Sequence, residues 1–196
     1  MVGAGLRLAS VEEAAKLLRE GKVGVVPTET VVGLVAGERG IDRLTEIKGR
    51  NPDKPIALLC ASKRDAFGLA REVPVLAHSL ANRFWPGALT LVLDASDGGT
   101  VGVRVPDHPV VRTLLLSYGA PFYATSANRS GENAPRSLRE VEPEISNLAD
   151  FVVEGESGGG EASAVVDLSG GRIQLLRSTM NLGNEELFRL SGKSKR

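Results

Sequence analysis

Lys48-Gly49-Arg50-Asn51-Pro52-Asp53-Lys54-Pro55 places three cations within seven positions, among glycine, asparagine and two prolines. Prolines narrow the freedom of the unfolded chain, so charges on such a stretch are held at reduced entropic cost. Clustered lysine and arginine of this kind suit a polyanion, most simply a triphosphate. Lys48 and Arg50 can equally serve only to complement the negative end of a helix. Single cations extend the set: Arg104 inside the apolar run 101–105, and Arg177 at the end of the run 173–176. A lone arginine in a strand commonly faces solvent. With Thr30, Ser126, Asn128 and Ser163, these cations make a group able to position an anionic substrate and neutralise its charge. Such a group works by placement and electrostatics rather than through a covalent intermediate.

The chain lacks several familiar catalytic signatures. It has no G-x-x-x-x-G-K-[ST] phosphate loop, no G-x-G-x-x-G opening a helix and no H-E-x-x-H. His108 lies in the turn Pro106-Asp107-His108-Pro109 and could act as a base or ligand. No second histidine or carboxylate cluster stands at metal-ligand spacing, so it is read as a surface residue and no metal ligands are assigned. The formal net charge is +0 and aromatics are 4%. Those values argue against a broad nucleic-acid footprint or stacking platforms, while leaving room for a local basic groove. The single cysteine excludes an internal disulfide and suits a reducing cytoplasm. No stretch approaches the ~18 consecutive apolar residues of a membrane span, and no secretory leader is evident, so a cytoplasmic protein with no membrane partner is expected.

These side chains need a scaffold, and 196 residues with 42% hydrophobic content suffice for one sizeable domain, assigned here to 1–196. Residues 1–9 read as a lead-in or short edge strand. Ser10 and Glu13 form a capping-box pattern before a helix that Gly21 stops. Val23–Pro27 reads as a buried strand, and Thr28-Glu29-Thr30 interrupts the apolar pattern before Val31–Val35 resumes it. Helical spacing of Ile41, Leu44 and Ile47 predicts a helix ending at Gly49 in a left-handed residue. Strands are expected at 56–60, 88–93, 101–105, 120–125, 163–168 and 173–176. Helices are expected at 62–71 and 75–84, and from the turn at 106–109 to Tyr118-Gly119. A weakly helical segment is read at 137–148, a flexible glycine connection at 155–160, and a frayed basic tail at 191–196. Ser126–Gly131 is a polar loop leaving a strand end, where small hydroxyl and amide groups can cradle a phosphate or simply make the turn.

Pro27–Leu34, Lys48-Gly49-Arg50, Trp85–Thr90, Arg104-Val105-Pro106 and Ser126–Gly131 together resemble successive motifs of the YrdC/TsaC family in order and spacing. With Ser163–Arg177 they cover nearly the whole chain. The resemblance implies an α/β fold: a twisted mixed parallel and antiparallel sheet with flanking helices around a concave basic cavity. It implies a nucleotidyltransferase that condenses L-threonine, bicarbonate or CO2, and ATP with Mg2+ into threonylcarbamoyl-AMP and diphosphate. The product would feed N6-threonylcarbamoyladenosine formation in tRNA through a downstream transfer complex. By motif, Lys48, Arg50, Ser126 and Asn128 would be catalytic. Arg50, Lys54, Thr100, Ser126, Ala134 and Arg177 would bind ATP, and Thr30, Arg104, Ala124 and Ser163 would bind threonine. Departures from the family pattern are Val32 for a usual tyrosine, which is expected to remove aromatic packing beside threonine, Leu59 where some members carry histidine, and Ala164 for threonine. The length resembles the short, single-domain form. Alternatives are a tRNA or double-stranded-RNA binding module without turnover, a carbamoyl-phosphate-using relative, and a degenerate nucleotide binder.

Overall fold

The protein was analysed as a computed structural model, which describes residues 7–49, 56–158, 160–179 and 181–191. In chain order the elements are β1 (Arg7–Leu8), α1 (Val11–Arg19), β2 (Val23–Val26), β3 (Gly33–Ala36), α2 (Ile41–Lys48) and β4 (Ala57–Leu59). Then come α3 (Lys63–Gly68), α4 (Val75–Phe84), β5 (Leu89–Asp94), β6 (Thr100–Arg104), α5 (Pro109–Tyr118) and β7 (Phe122–Ser126). The last are α6 (Pro143–Leu148), β8 (Phe151–Val152), β9 (Ala164–Asp167), β10 (Gln174–Arg177) and α7 (Asn184–Leu190). The strands form one sheet in the order β1-β8-β2-β3-β7-β4-β6-β5-β9-β10. Pairing is parallel at β1/β8, β8/β2, β4/β6 and β5/β9, and antiparallel elsewhere.

Local chemistry explains the element ends. Ser10 Oγ accepts the Glu13 N–H at 3.2 Å and caps α1. The reciprocal half of the expected capping box does not form, because the Glu13 carboxylate pairs with Arg7 instead. Gly49 closes α2 at φ 59° and ψ 35°, a conformation that costs a side-chain-bearing residue energy and glycine nothing. The hairpin between β5 and β6 and the glycine stop of α5 fall where the sequence places them. Helix α7 does not: its seven residues lack both a polar N-cap side chain and a long periodic stripe, and only Leu187 is buried. Within the stretch expected to be flexible, two described residues are tied down, with Gly158 N–H bonded to Thr28 O and Gly160 N–H to Thr30 O, both at 2.9 Å.

Three apolar clusters hold the layers. One joins α1 and α5 to the β2–β8 side of the sheet through Leu18, Leu114 and Phe151. Another packs α2 and α6 on the opposite face through Leu44 and Ile145. The third sits under α4 and α7 and takes Leu91, Val103 and Val166 from β5, β6 and β9. Side chains alternate across a strand, so the neighbours Thr90, Val92, Gly102 and Val165 must face the other way. They line a hollow, and that hollow is the candidate site.

Candidate active site

The hollow is a cavity of about 650 Å3 over β7, β4, β6, β5 and β9, walled by the β2–β3 loop, the end of α2 and the loop after β7. Its floor is made of alternate residues whose registers match across strands: Leu59 opposite Arg104, Ala57 opposite Ala124, Thr90 opposite Val165.

Arg104 ends β6 and is only 8% exposed. It therefore departs from the expected solvent-facing arginine, because the alternation of β6 turns it into the hollow with Gly102. Its Nε donates to Gly87 O at 3.1 Å, and Nη2 donates to Thr30 Oγ1 at 3.1 Å. Nη2 also lies 2.7 Å from Glu29 Oε1. Glu29 Oε1 in turn accepts the Asp107 N–H at 2.9 Å. Thr30 is placed by its own loop: Thr28 Oγ1 donates to Val31 O at 2.6 Å, accepts the Thr30 N–H at 3.1 Å and lies 2.9 Å from Thr30 Oγ1. A planar guanidinium beside threonine hydroxyls offers directed donors to a carboxylate.

Lys48 projects from the last turn of α2 and is 3% exposed. Its Nζ donates to Ser126 O at 2.7 Å, Ser126 Oγ at 3.1 Å and Asn128 Oδ1 at 2.6 Å. Asn128 Nδ2 donates to Glu132 O at 2.6 Å and Arg129 O at 3.0 Å, and Ser130 N–H donates to Lys48 O at 3.0 Å. So the loop after β7 is stitched to the end of α2, and a buried ammonium is ringed by polar oxygens at the cavity wall. Helix-end complementation explains none of this, since Lys48 reaches across to another loop.

A third corner is made by Ser163 just before β9, Thr90 on β5 and Arg177 at the end of β10. Ser163 Oγ is 2.9 Å from Thr90 Oγ1, and Arg177 donates from Nε to Ser163 O at 2.5 Å and from Nη2 to Ser163 Oγ at 3.2 Å. Arg177 is otherwise exposed at the mouth. Cys60, one position beyond the lining Leu59, is fully buried away from the hollow. Burial first, and Asp65 second, push its thiol up to about 12, so it supplies no thiolate near neutral pH.

The structure thus gathers Lys48, Ser126, Asn128, Thr30, Arg104, Ala124, Ser163 and Arg177 on one cavity. Thr100 is placed elsewhere, at the exposed start of β6 beside the hairpin, where it borders a second hollow with Asp97 and Tyr123. Ala134 is half-buried and does not line the cavity. Arg50 and Lys54 lie outside the described residues. Val32 corrects another expectation: it is wholly buried in the α2/α6 cluster, while Val31 lines the hollow, so position 32 is core and not a wall beside a ligand. His108 is likewise not a surface residue. It is 7% exposed, with Nε2 2.8 Å from Glu156 O. Sequence reasoning missed Glu29 as a site residue, although its place between two threonines in an apolar stretch was the available signal.

Residues 16–179 match the model of the Sua5/YciO/YrdC domain, described as "Telomere recombination". The chain belongs to the Sua5/YciO/YrdC family. Among curated relatives it is 39% identical over 193 residues to a threonylcarbamoyl-AMP synthase of Pyrococcus abyssi, covering 92% of this chain and 56% of that protein. It is 36% identical to the Bacillus subtilis threonylcarbamoyl-AMP synthase, covering 85% and 52% respectively. The solved structure of P. abyssi Sua5 complexed with L-threonine aligns with a TM-score of 0.82 at 34% identity, covering 96% of this chain and 60% of that one. The chain spans a little over half the length of these relatives. The family's mixed parallel and antiparallel sheet with flanking helices is the fold found here.

Proposed function

We propose that the chain is an L-threonylcarbamoyladenylate synthase, a nucleotidyltransferase using L-threonine, bicarbonate or CO2, and ATP. The observation that carries this reading is the meeting, in one cavity, of an arginine–threonine corner suited to a carboxylate and a lysine–serine–asparagine corner suited to phosphate oxygens. A volume of about 650 Å3 lies within the range of pockets that hold small organic ligands. The relatives' names and the threonine-bound Sua5 support the same assignment.

In this mechanism Arg104 and Thr30 fix the threonine carboxylate, with Ser163 and the Ala124 wall on the same substrate. The threonine amine adds to the carbon of CO2 and loses protons, giving a carbamate. A carbamate oxygen attacks the α-phosphorus, and the bond to the β-phosphate bridging oxygen breaks, releasing diphosphate. Lys48, anchored by Ser126 and Asn128, lends positive charge where the phosphates lie, with Arg50, Lys54 and Arg177 assigned to the same nucleotide. Placement and charge stabilisation carry the step, with no protein nucleophile. Glu29 is the single carboxylate among the described lining residues, and Arg104 holds it, so these residues do not form a cation cage of their own. Mg2+ would accompany ATP on its phosphate oxygens. The adenylate would pass to a tRNA-modifying transfer partner in the cytoplasm; among the described residues no helix is long and apolar enough to cross a membrane.

The test is incubation with ATP, bicarbonate and L-threonine, followed by diphosphate assay and mass analysis of the adenylate. The expected outcome is threonine- and bicarbonate-dependent diphosphate release with one threonylcarbamoyl-AMP per diphosphate. ATP binding with no diphosphate and no adenylate would remove the assignment.

A further inference from the structure

Glu29 poses a problem that the proposed mechanism leaves unsolved. Its Oε1 is fully engaged by Arg104 and the Asp107 N–H. Its Oε2 is buried and has no hydrogen-bond partner. A sealed, unpartnered carboxylate oxygen is among the more costly states a polar atom can occupy, and such atoms call for an explanation. The side chain lines the cavity, and Gly158 packs closely on its backbone: a Cβ on Gly158 would stand 2.1 Å from Glu29 O. The carboxylate is thus fixed at its base while its terminal torsion, a broad two-fold one, remains soft.

We infer that Glu29 binds the ammonium group of the amino-acid substrate, and that Glu29 and Arg104 together read an α-amino acid as a zwitterion. This rests on the proposed amino-acid reading of the cavity. The geometry supplies the argument. Arg104 Nη2 and Glu29 Oε1 are 2.7 Å apart, so a cation and an anion stand side by side on the cavity wall. An α-amino acid carries its own anion and cation on either side of one carbon. Laid against the pair in opposite sense, its carboxylate faces the guanidinium fork and its ammonium faces the carboxylate. The ligand carboxylate takes over Arg104 Nη2 from Glu29 Oε1, and the Glu29 carboxylate so released turns to the ammonium, which supplies the donors it then lacks. Thr30, bonded to Arg104, stays beside the carboxylate end. The arrangement excludes an acid without an amine by leaving Glu29 unpaired, which is how a buried polar group enforces specificity. It also aims the nitrogen, because the atom that must become carbamoylated is the one Glu29 holds.

Calorimetric titration of the whole chain with L-threonine and with 3-hydroxybutyrate, which lacks only the amine, tests this. The wild type is expected to favour threonine by about 30-fold, which is about 2 kcal/mol at 1.4 kcal/mol per decade. Glu29→Gln keeps an acceptor for Arg104 and the Asp107 N–H but removes the charge. It is expected to lose about 30-fold in threonine affinity while 3-hydroxybutyrate changes less than about three-fold. Discrimination below about three-fold in the wild type overturns the inference, whether or not the variant folds. Equal loss for both ligands in Glu29→Gln also overturns it, since Glu29 would then only prop Arg104. A wild type that binds no amino acid removes the amino-acid reading and this inference together. Threonine binding that Glu29→Gln leaves intact removes this inference alone.

Discussion

The same strands present two faces that follow different rules. On one face Leu91, Val103 and Val166 are fully buried and packed under α4 and α7. On the other, Thr90, Val92, Gly102 and Val165 floor the cavity, and polar groups stand among them. One residue step separates a side chain whose loss leaves a void from one whose loss leaves a ligand unheld. The core face draws its energy from area removed from water and depends on volume. The cavity face gains little from burial and depends on direction, because its hydrogen bonds fix where Arg104, Thr30 and Ser163 point. The two faces should therefore separate under mutation, one moving stability and the other moving ligand affinity.

Arg104→Ala should show the largest combined effect. It removes the fork at the cavity wall and strands Glu29, costing about 3 kcal/mol of stability, in keeping with one-sided removal from a buried pair. Threonine affinity should fall by about 100-fold in calorimetric titration, as expected for a lost charge-assisted pair. Retention of wild-type affinity by a folded Arg104→Ala protein would break the division of roles at its centre. Leu91→Ala, one position from Thr90 and Val92, should cost about 3 kcal/mol in urea unfolding. Its threonine affinity below the unfolding transition should stay within about two-fold of wild type, since packing loss and ligand contact fall on opposite faces. A ten-fold affinity change there would show that the core face also shapes the site. Ser126→Ala removes one long contact to Lys48 at 3.1 Å while the stronger bonds to Ser126 O and Asn128 Oδ1 persist. Stability should change by less than about 1 kcal/mol, and diphosphate release should fall by about 10-fold if the hydroxyl also serves the phosphates. Unchanged turnover would make Ser126 a purely structural anchor through its backbone.

Much of this division was legible before any coordinates. Helix α2, its Gly49 stop and the hairpin at 94–100 were written in periodicity and turn chemistry, which are local signals. The motifs also marked Lys48, Ser126 and Asn128 as one group. What could not be read was which way a strand faces. The run 101–105 is nearly all apolar, so its alternation carries no sign, and Arg104 could be turned inward or outward until the neighbouring strands were in place. Val32 and Thr100 were placed at the ligand by motif resemblance, and a motif match does not tell which way a side chain in the loop before β3, or at the exposed start of β6, will face. His108 looks exposed in a Pro-Asp-His-Pro turn, and it is buried only because the strap at 155–158 folds over it. Glu29 was hidden for a related reason: its importance lies in contacts to Arg104 and the Asp107 N–H, about 75 residues away, and no local pattern encodes those.

Cys60 sharpens the comparison from the other side, as a titratable group that belongs to the core face although its neighbour Leu59 lines the cavity. Burial raises its thiol from an ordinary value of 9.0 to about 12. The folded chain therefore holds this proton more tightly than the unfolded chain does. That contribution to stability is whole below about pH 9 and is lost as pH rises toward 12. Cys60→Ala lacks it, so the stability gap between wild type and variant should narrow by about 1–2 kcal/mol between pH 8 and pH 10.5 in urea unfolding. Threonine affinity should not differ between the two proteins over the same range, because the thiol faces the core. A constant gap would mean that the thiolate is tolerated where it sits. A pH-dependent difference in affinity would mean that the face behind the cavity floor communicates with the ligand, and the separation of the two faces would fail at its smallest test.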